Sequence, residues 1–168
     1  KRYLELKNVA LQAKNYEEAI VYCNKVLEID PNSIESWLDK AQATFYLTTS
    51  ANNRYSEAMS YVERASALQP GDERIYQFKT ELTEKQGLWI NSLAIDALER
   101  AKKMYTEFYR IRYEERFAEQ NSAKYYQEAM DYCIEASKYL PFSRTILENI
   151  DYVRFCAEWV HWDPIVKE

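Results

Sequence analysis

The chain lacks the residues on which most catalytic sites depend. Its 168 residues include one histidine, His161, and only two glycines, Gly71 and Gly87. Two glycines cannot build a phosphate-binding glycine loop, and a lone histidine in a terminal tail offers no Ser-His or Cys-His pair. We therefore expect a protein that is not an enzyme, with no catalytic residue and no cofactor.

Cysteine is also scarce. Cys23, Cys133 and Cys156 are far apart, odd in number and without the spacing of metal ligands, so we predict no metal site. We interpret them as small buried hydrophobic residues. Such free thiols suit a reducing compartment, and we expect a cytoplasmic, intracellular location.

Long hydrophobic runs and excess charge are missing as well. No apolar run approaches the roughly 18 residues of a membrane span, and the net charge of −5 is mild. We therefore expect neither membrane insertion nor a general attraction to nucleic acid. With few glycines and prolines, 47% hydrophobic and 29% charged residues indicate a mostly helical protein. The chain begins inside a helical pattern without methionine, so we expect it to be part of a longer protein.

What the chain does contain is a sequence pattern that occurs three times. It reads NYEEAIVYCNKVLEIDP from Asn15, YSEAMSYVERASALQP from Tyr55 and YQEAMDYCIEASKYLP from Tyr126. Small or apolar residues recur at steps of three and four, which places them on one helical face, and a proline follows each stripe. Each copy predicts a helix whose alanine-lined face packs closely against a neighbouring helix.

The pattern resembles the second helix of the tetratricopeptide repeat, a helix–turn–helix unit of about 34 residues. When Ala19 and Pro31 are aligned on the family pattern, the next unit has Trp37 at the tryptophan position and Ala41 at the small position. The resemblance implies an all-α fold, an α-α superhelix of TPR-like helical repeats closed by a C-terminal capping helix.

The resemblance also implies a domain organisation. We predict one domain of residues 1–160, with repeats at about 1–32, 33–71 and 72–141, a capping helix at 143–160 and a tail at 161–168. Stacked repeats need a cap because the last apolar face would otherwise meet water. Leu147 is among the cap residues that we expect to pack inward.

Residues 88–119 contain neither glycine nor proline. We expect the third helix A to end at Gly87, and the unbroken apolar spacing after it favours one long helix at about 88–119. The proline spacing favours instead two helices with a turn near Thr106, and both alternatives stay open. Asn121 and Ser122 are predicted to interrupt the helices before the third copy of the pattern.

In the family, the A helices line a concave groove that receives an extended or helical segment of a partner protein. The resemblance therefore implies a protein–protein interaction module, an adaptor or scaffold with a protein or peptide partner. The corresponding groove positions in this sequence are Leu4, Asn8, Leu11, Gln12, Leu38, Gln42, Phe45, Tyr46, Arg74, Gln77, Glu81 and Lys85.

Some members of the family hold a C-terminal carboxylate in a clamp of basic and amide side chains. Asn8 falls on one clamp asparagine and Arg74 on one basic position. However, Leu4 occupies the lysine position, Asp39 the second asparagine position and Phe78 the other arginine position. A carboxylate would meet Asp39 instead of a donor, so we predict no such clamp.

A basic and aromatic segment between Arg100 and Phe117 supports a second hypothesis. Such mixtures can bind single strands, but interleaved glutamates offset the basic charge, and we expect no nucleic acid. Together with fifteen tyrosines in the chain, the segment also suits an interface. The alternative function is thus a structural assembly subunit that contacts folded partners, or a second copy, through the long helix and residues such as Tyr109 and Tyr113. A homo-oligomer is left open.

Overall fold

The protein is all-α over the residues that the structure describes. The computed structural model describes residues 1–110 and 115–159, without the side chains of residues 105, 107–110, 115–121 and 159. The helices are α1 (Arg2–Gln12), α2 (Tyr16–Ile29), α3 (Ile34–Tyr46), α4 (Tyr55–Leu68), α5 (Glu73–Arg110), α6 (Glu115–Tyr139) and α7 (Arg144–Trp159). The predicted fold of TPR-like helical repeats is confirmed.

Contacts divide the chain into two compact units, the first unit Lys1–Leu82 and the second unit Thr83–Glu168. In the first unit α1 packs against α2, α2 against α3 and α3 against α4. The alanine stripes face these contacts, since Ala19 and Ala58 are fully buried. Ile75 and Leu82, at the start of α5, complete the core formed by α3 and α4.

Local signals determine where the helices of the first unit begin and end. Asn15 and Ser33 are N-caps whose side chains accept hydrogen bonds from the backbone N–H groups of Glu18 and Ser36. The loop between α3 and α4 closes on itself, because Thr49 and Asn52 exchange two backbone hydrogen bonds of 3.0 Å. It is therefore a compact connection between two intact helices.

The second unit is a helical hairpin covered by α7. Gly87 of α5 lies against Leu140, and Arg100 of α5 forms a 3.3 Å ion pair with Glu128 of α6. Positions later in α5 thus meet positions earlier in α6, so the two helices run antiparallel. Their core, which includes Ala97, Ala101, Ala129, Met130 and Cys133, is closed by Val153 of α7.

The long helix is present, but its bounds differ from the prediction. Gly87 does not end a helix, because α5 runs without interruption from Glu73 to Arg110. Gly87 serves packing instead: a Cβ atom there would lie 2.8 Å from the Leu140 side chain. The alternative turn at Thr106 is also wrong, since Thr106 lies within α5. Helices α5 and α6 run in opposite directions, and residues 111–114 between them lie outside the described residues.

Two further predictions in the second unit were wrong. Asn121 and Ser122 do not interrupt the chain, because α6 extends through both, and tertiary packing overrides the weak helix propensity of such residues. Ser122 is fully buried. In α7, Ile146 and Val153 pack inward, whereas Leu147, which we expected to pack inward, is about half exposed.

Several predictions fall on parts of the chain that the structure does not describe. They concern the side chains of Tyr109 and Tyr113, most of the basic and aromatic segment, and the tail at 161–168 with His161. Among the helices in the described ranges, none combines the length and apolarity that crossing a membrane requires.

Candidate partner-binding groove

Helices α1 and α3 each present one face toward the candidate groove. Leu4, Asn8 and Leu11 are three or four residues apart, so they share one face of α1. Leu38 and Gln42 share a face of α3 in the same way. We call these two neighbouring faces the α1–α3 groove, and Lys7 joins them.

Lys7 connects the helices by ion pairs across the groove. Its side chain is 0% exposed, and its ammonium donates hydrogen bonds to the carboxylates of Asp39 and of Glu35, the latter at 3.2 Å. Burial lowers the pKa of Lys7, but the hydrogen bonds and charges of Asp39 and Glu35 outweigh it, so the pKa lies above its ordinary value of 10.5. Lys7 therefore remains cationic at neutral pH.

The carboxylates that hold Lys7 differ in their surroundings. Burial raises the pKa of Asp39 above its ordinary value, and the hydrogen bond from Lys7 offsets this only in part. Glu35, by contrast, has a side chain that is 74% exposed. Asp39 is thus mostly buried in its contact with Lys7, while Glu35 also faces solvent at the edge of the groove.

The predicted groove residues of α1 and α3 differ in exposure. Leu4 and Tyr46 are 40% and 41% exposed. The others on these helices, apart from Phe45, are exposed or half-buried: Asn8, Leu11, Gln12, Leu38 and Gln42. Phe45 is only 7% exposed and packs in the core with Ala58 and Val62. A ligand on this face would therefore contact leucine, amide and tyrosine side chains, with Phe45 beneath them.

The third set of predicted groove residues is polar. Arg74, Gln77 and Glu81 are exposed on the first turns of α5. The Arg74 guanidinium is held by Asp72, with 2.6 Å between Nη2 and Oδ2. Lys85, the last predicted position, belongs to the second unit.

In the structure, three of the side chains at the carboxylate-clamp positions contact other residues of the protein. Asp39 is bound to Lys7, Arg74 is bound to Asp72, and Phe78 packs against the core of α3 and α4. Lys7, the cation nearest to the clamp positions on α1, is fully buried. Asn8 and Arg74 are exposed donors, whereas Asp39 and Phe78 offer no donor to a carboxylate.

The sequence interpretation missed Lys7. It lies four residues after Tyr3, as Ala41 lies four residues after Trp37, so it occupies the small position of the first repeat. A lysine at a position that favours alanine was a signal of an unusual buried contact. Its partners could not be inferred because they belong to another helix.

A second lysine, Lys40 of α3, is held outside the groove. The Lys40 ammonium lies 4.2 Å from the Tyr61 ring centroid and 5.4 Å from that of Trp37, a cation–π arrangement. Burial lowers the pKa of Lys40 below its ordinary value. Because Lys40 follows Glu35 by five residues, it projects from a different side of α3.

No described group supports a metal site: within residues 1–110 and 115–159, no three His, Cys, Asp or Glu side chains cluster in a way that could hold an ion. Cys23 and Cys133 are free and buried.

The helix pairs with alanine contacts and caps define a helical-repeat fold. Residues 10–82 match the family model described as Tetratricopeptide repeat. This segment of the chain is therefore similar to tetratricopeptide repeats, which supports a general protein–protein interaction module. A comparison with curated proteins finds no match for the chain.

Proposed function

We propose that the α1–α3 groove binds an extended or helical segment of a partner protein, and that the chain acts as a non-enzymatic adaptor or scaffold without a carboxylate clamp. The observation that carries the proposal is the exposure of Leu4, Asn8 and Tyr46 on the two helices that Lys7 connects. Apolar side chains supply contact area, and amides can pair with a peptide backbone.

Peptide selection with a matched pair of variants tests this function. A random peptide library is displayed on phage, selected on the intact chain, and the enriched peptides are measured by fluorescence anisotropy. Leu4→Glu places a charge in the groove, and we expect it to weaken binding at least tenfold, about 1.4 kcal/mol. Val9→Glu is the control, because Val9 is exposed on another side of α1.

Enrichment of peptides that Leu4→Glu weakens and Val9→Glu leaves unchanged supports the groove. If no peptide is enriched, or both variants behave alike, groove binding is disproved. Circular dichroism on each variant shows that the helices are retained, since both substituted side chains are partly exposed and neither belongs to the buried core.

A second candidate, a structural assembly subunit, has one observation of its own. Phe142 follows α6 in the second unit and is 94% exposed, and large exposed aromatic side chains are typical of interfaces. Light scattering of the wild type and of Phe142→Glu tests it. A homo-oligomer that Phe142→Glu dissociates, and that Val21→Glu in the first unit does not, favours assembly. A monomer at all concentrations rules out self-assembly.

A further inference from the structure

The charges of the α1–α3 groove do not balance. Glu35 and Asp39 contribute two negative charges, and Lys7 contributes one positive charge that is fully buried between them. Since the Lys7 ammonium is inaccessible, a ligand in the groove meets the remaining negative charge, which lies on the exposed Glu35 carboxylate. The electrostatic character of the groove beside Leu38 is therefore acidic.

Two other cations of the first unit have partners of their own. Lys40 is held between Trp37 and Tyr61 on a different side of α3. Arg74 is paired with Asp72.

We propose that the groove selects a partner segment carrying a lysine or arginine side chain, which pairs with Glu35 while an adjacent apolar side chain of the same segment contacts Leu4 and Leu11. This specificity rests on the proposed function of the groove. Glu35 meets the geometric requirement, because its Oε1 accepts a hydrogen bond from Lys7 at 3.2 Å while 74% of its side chain remains exposed to a further donor. An arginine can bind such a carboxylate with two parallel hydrogen bonds.

The buried Lys7 positions the Glu35 carboxylate for an ion pair with the ligand. An ion pair between exposed groups contributes little in water, but a peptide that covers Glu35 removes solvent and strengthens the attraction. Lys7 and Asp39 fix α3 beside α1, so the Glu35 carboxylate is positioned before the ligand arrives. A C-terminal carboxylate in the same place would be repelled by Glu35.

The test uses the peptides enriched on the intact chain. For each, a variant with its Lys or Arg changed to Glu is synthesised, and both are measured against wild type, Glu35→Gln and Glu35→Lys. We expect wild type to prefer the basic peptide about fivefold or more, an effect of the size of one ion pair. Glu35→Gln should bring the ratio close to one, and Glu35→Lys should invert it.

Glu17→Lys is the matched control, because Glu17 on α2 and Glu35 on α3 are each the second residue of their helix and are both exposed. The two substitutions therefore disturb the helix dipole equally. Glu17→Lys should leave the charge preference of the wild type unchanged. Raising the salt concentration should reduce the wild-type preference.

The outcomes separate the two proposals. Groove-dependent peptides without a basic residue, or a charge preference that Glu35→Gln does not change, overturn the acidic selectivity while the groove function stands. Absence of any groove-dependent peptide overturns the proposed function itself. If Glu35→Lys fails to fold because it adds a cation beside Lys7, Glu35→Gln alone decides.

Discussion

Lys14 adopts a backbone conformation that lysine rarely takes. Its φ of 57° lies in the left-handed region. The N–H groups of Lys14 and Asn15 bond to the carbonyl oxygens of Leu11 and Ala10 at 3.0 and 2.9 Å, the pattern of a Schellman motif at the end of α1. Glycine is the usual residue there because it has no Cβ to clash.

We expect Lys14→Gly to stabilise the protein. Relief of the left-handed backbone strain, about 1 to 2 kcal/mol, exceeds the added backbone entropy of glycine, about 0.5 to 1 kcal/mol. The free energy of unfolding from urea titration should rise by about 0.5 to 1 kcal/mol. Ala13→Gly is the control, since Ala13 has an ordinary φ of −75° and should lose stability. A lower urea midpoint for Lys14→Gly contradicts the prediction.

At the scale of single residues, the sequence predicts sites whose signal is local. The N-cap at Ser33 and the turn at Lys14 and Asn15 each depend on residues close by in the sequence. The burial of Lys7, by contrast, depends on its ion pairs with Glu35 and Asp39, which lie 28 and 32 residues further along the sequence. The position of Lys7 signals an unusual buried contact, but the residues near it in the sequence do not show which carboxylates it meets.

Helix α5 shows where reasoning at the scale of elements succeeds and fails. The repeated pattern predicts α2 and α4 because each carries its complete alanine stripe and its terminating proline. Glycine at position 87 suggests a helix end, yet α5 continues through it. The physical reason for Gly87 is the close approach of Tyr139, the last residue of α6, and of Leu140 after it, which no local pattern reveals.

Gly87→Ala should therefore destabilise the second unit. Alanine in a helix interior is normally favoured over glycine by about 1 kcal/mol, but here its Cβ would lie 2.8 Å from Leu140 Cγ and 3.2 Å from Tyr139 Cβ. Overpacking of this kind costs about 1 to 3 kcal/mol, so we expect a net loss of about 1 kcal/mol in urea titrations.

The double variant Gly87→Ala, Leu140→Ala provides the check on the cause. Because it removes the Leu140 side chain that the new methyl group would meet, the added cost of Gly87→Ala should shrink in the Leu140→Ala background. A gain in stability from Gly87→Ala in the wild-type background would show that Leu140 moves aside freely.

At the scale of the whole molecule, each unit contains one fully buried thiol. Cys23 lies in the first unit and Cys133 in the second. Burial raises the pKa of Cys23 from 9.0 to about 12 and that of Cys133 from 9.0 to about 11. Above pH 9 the unfolded chain releases these protons while the folded chain retains them, so rising pH favours unfolding of both units.

We predict that stability falls between pH 9 and 10 by up to about 1.4 kcal/mol per pH unit for each thiol. The free energy of unfolding is measured by urea titration under reducing conditions at pH 8, 9, 9.5 and 10. Cys23→Ala with Cys133→Ala should flatten this decline. The cavities left by the substitutions lower stability equally at every pH, so only the slope is diagnostic. Equal slopes in both proteins refute the prediction.

The loop between α3 and α4 has a practical consequence for the molecule as a whole. Its ends are fixed independently of its tip, since Thr49 pairs with Asn52 and the Arg54 N–H donates to the Thr48 hydroxyl at 3.1 Å. Ser50 and Ala51 at the tip are exposed, and lengthening such a loop costs little entropy. The tip is therefore a suitable insertion point for an epitope or a fluorescent label.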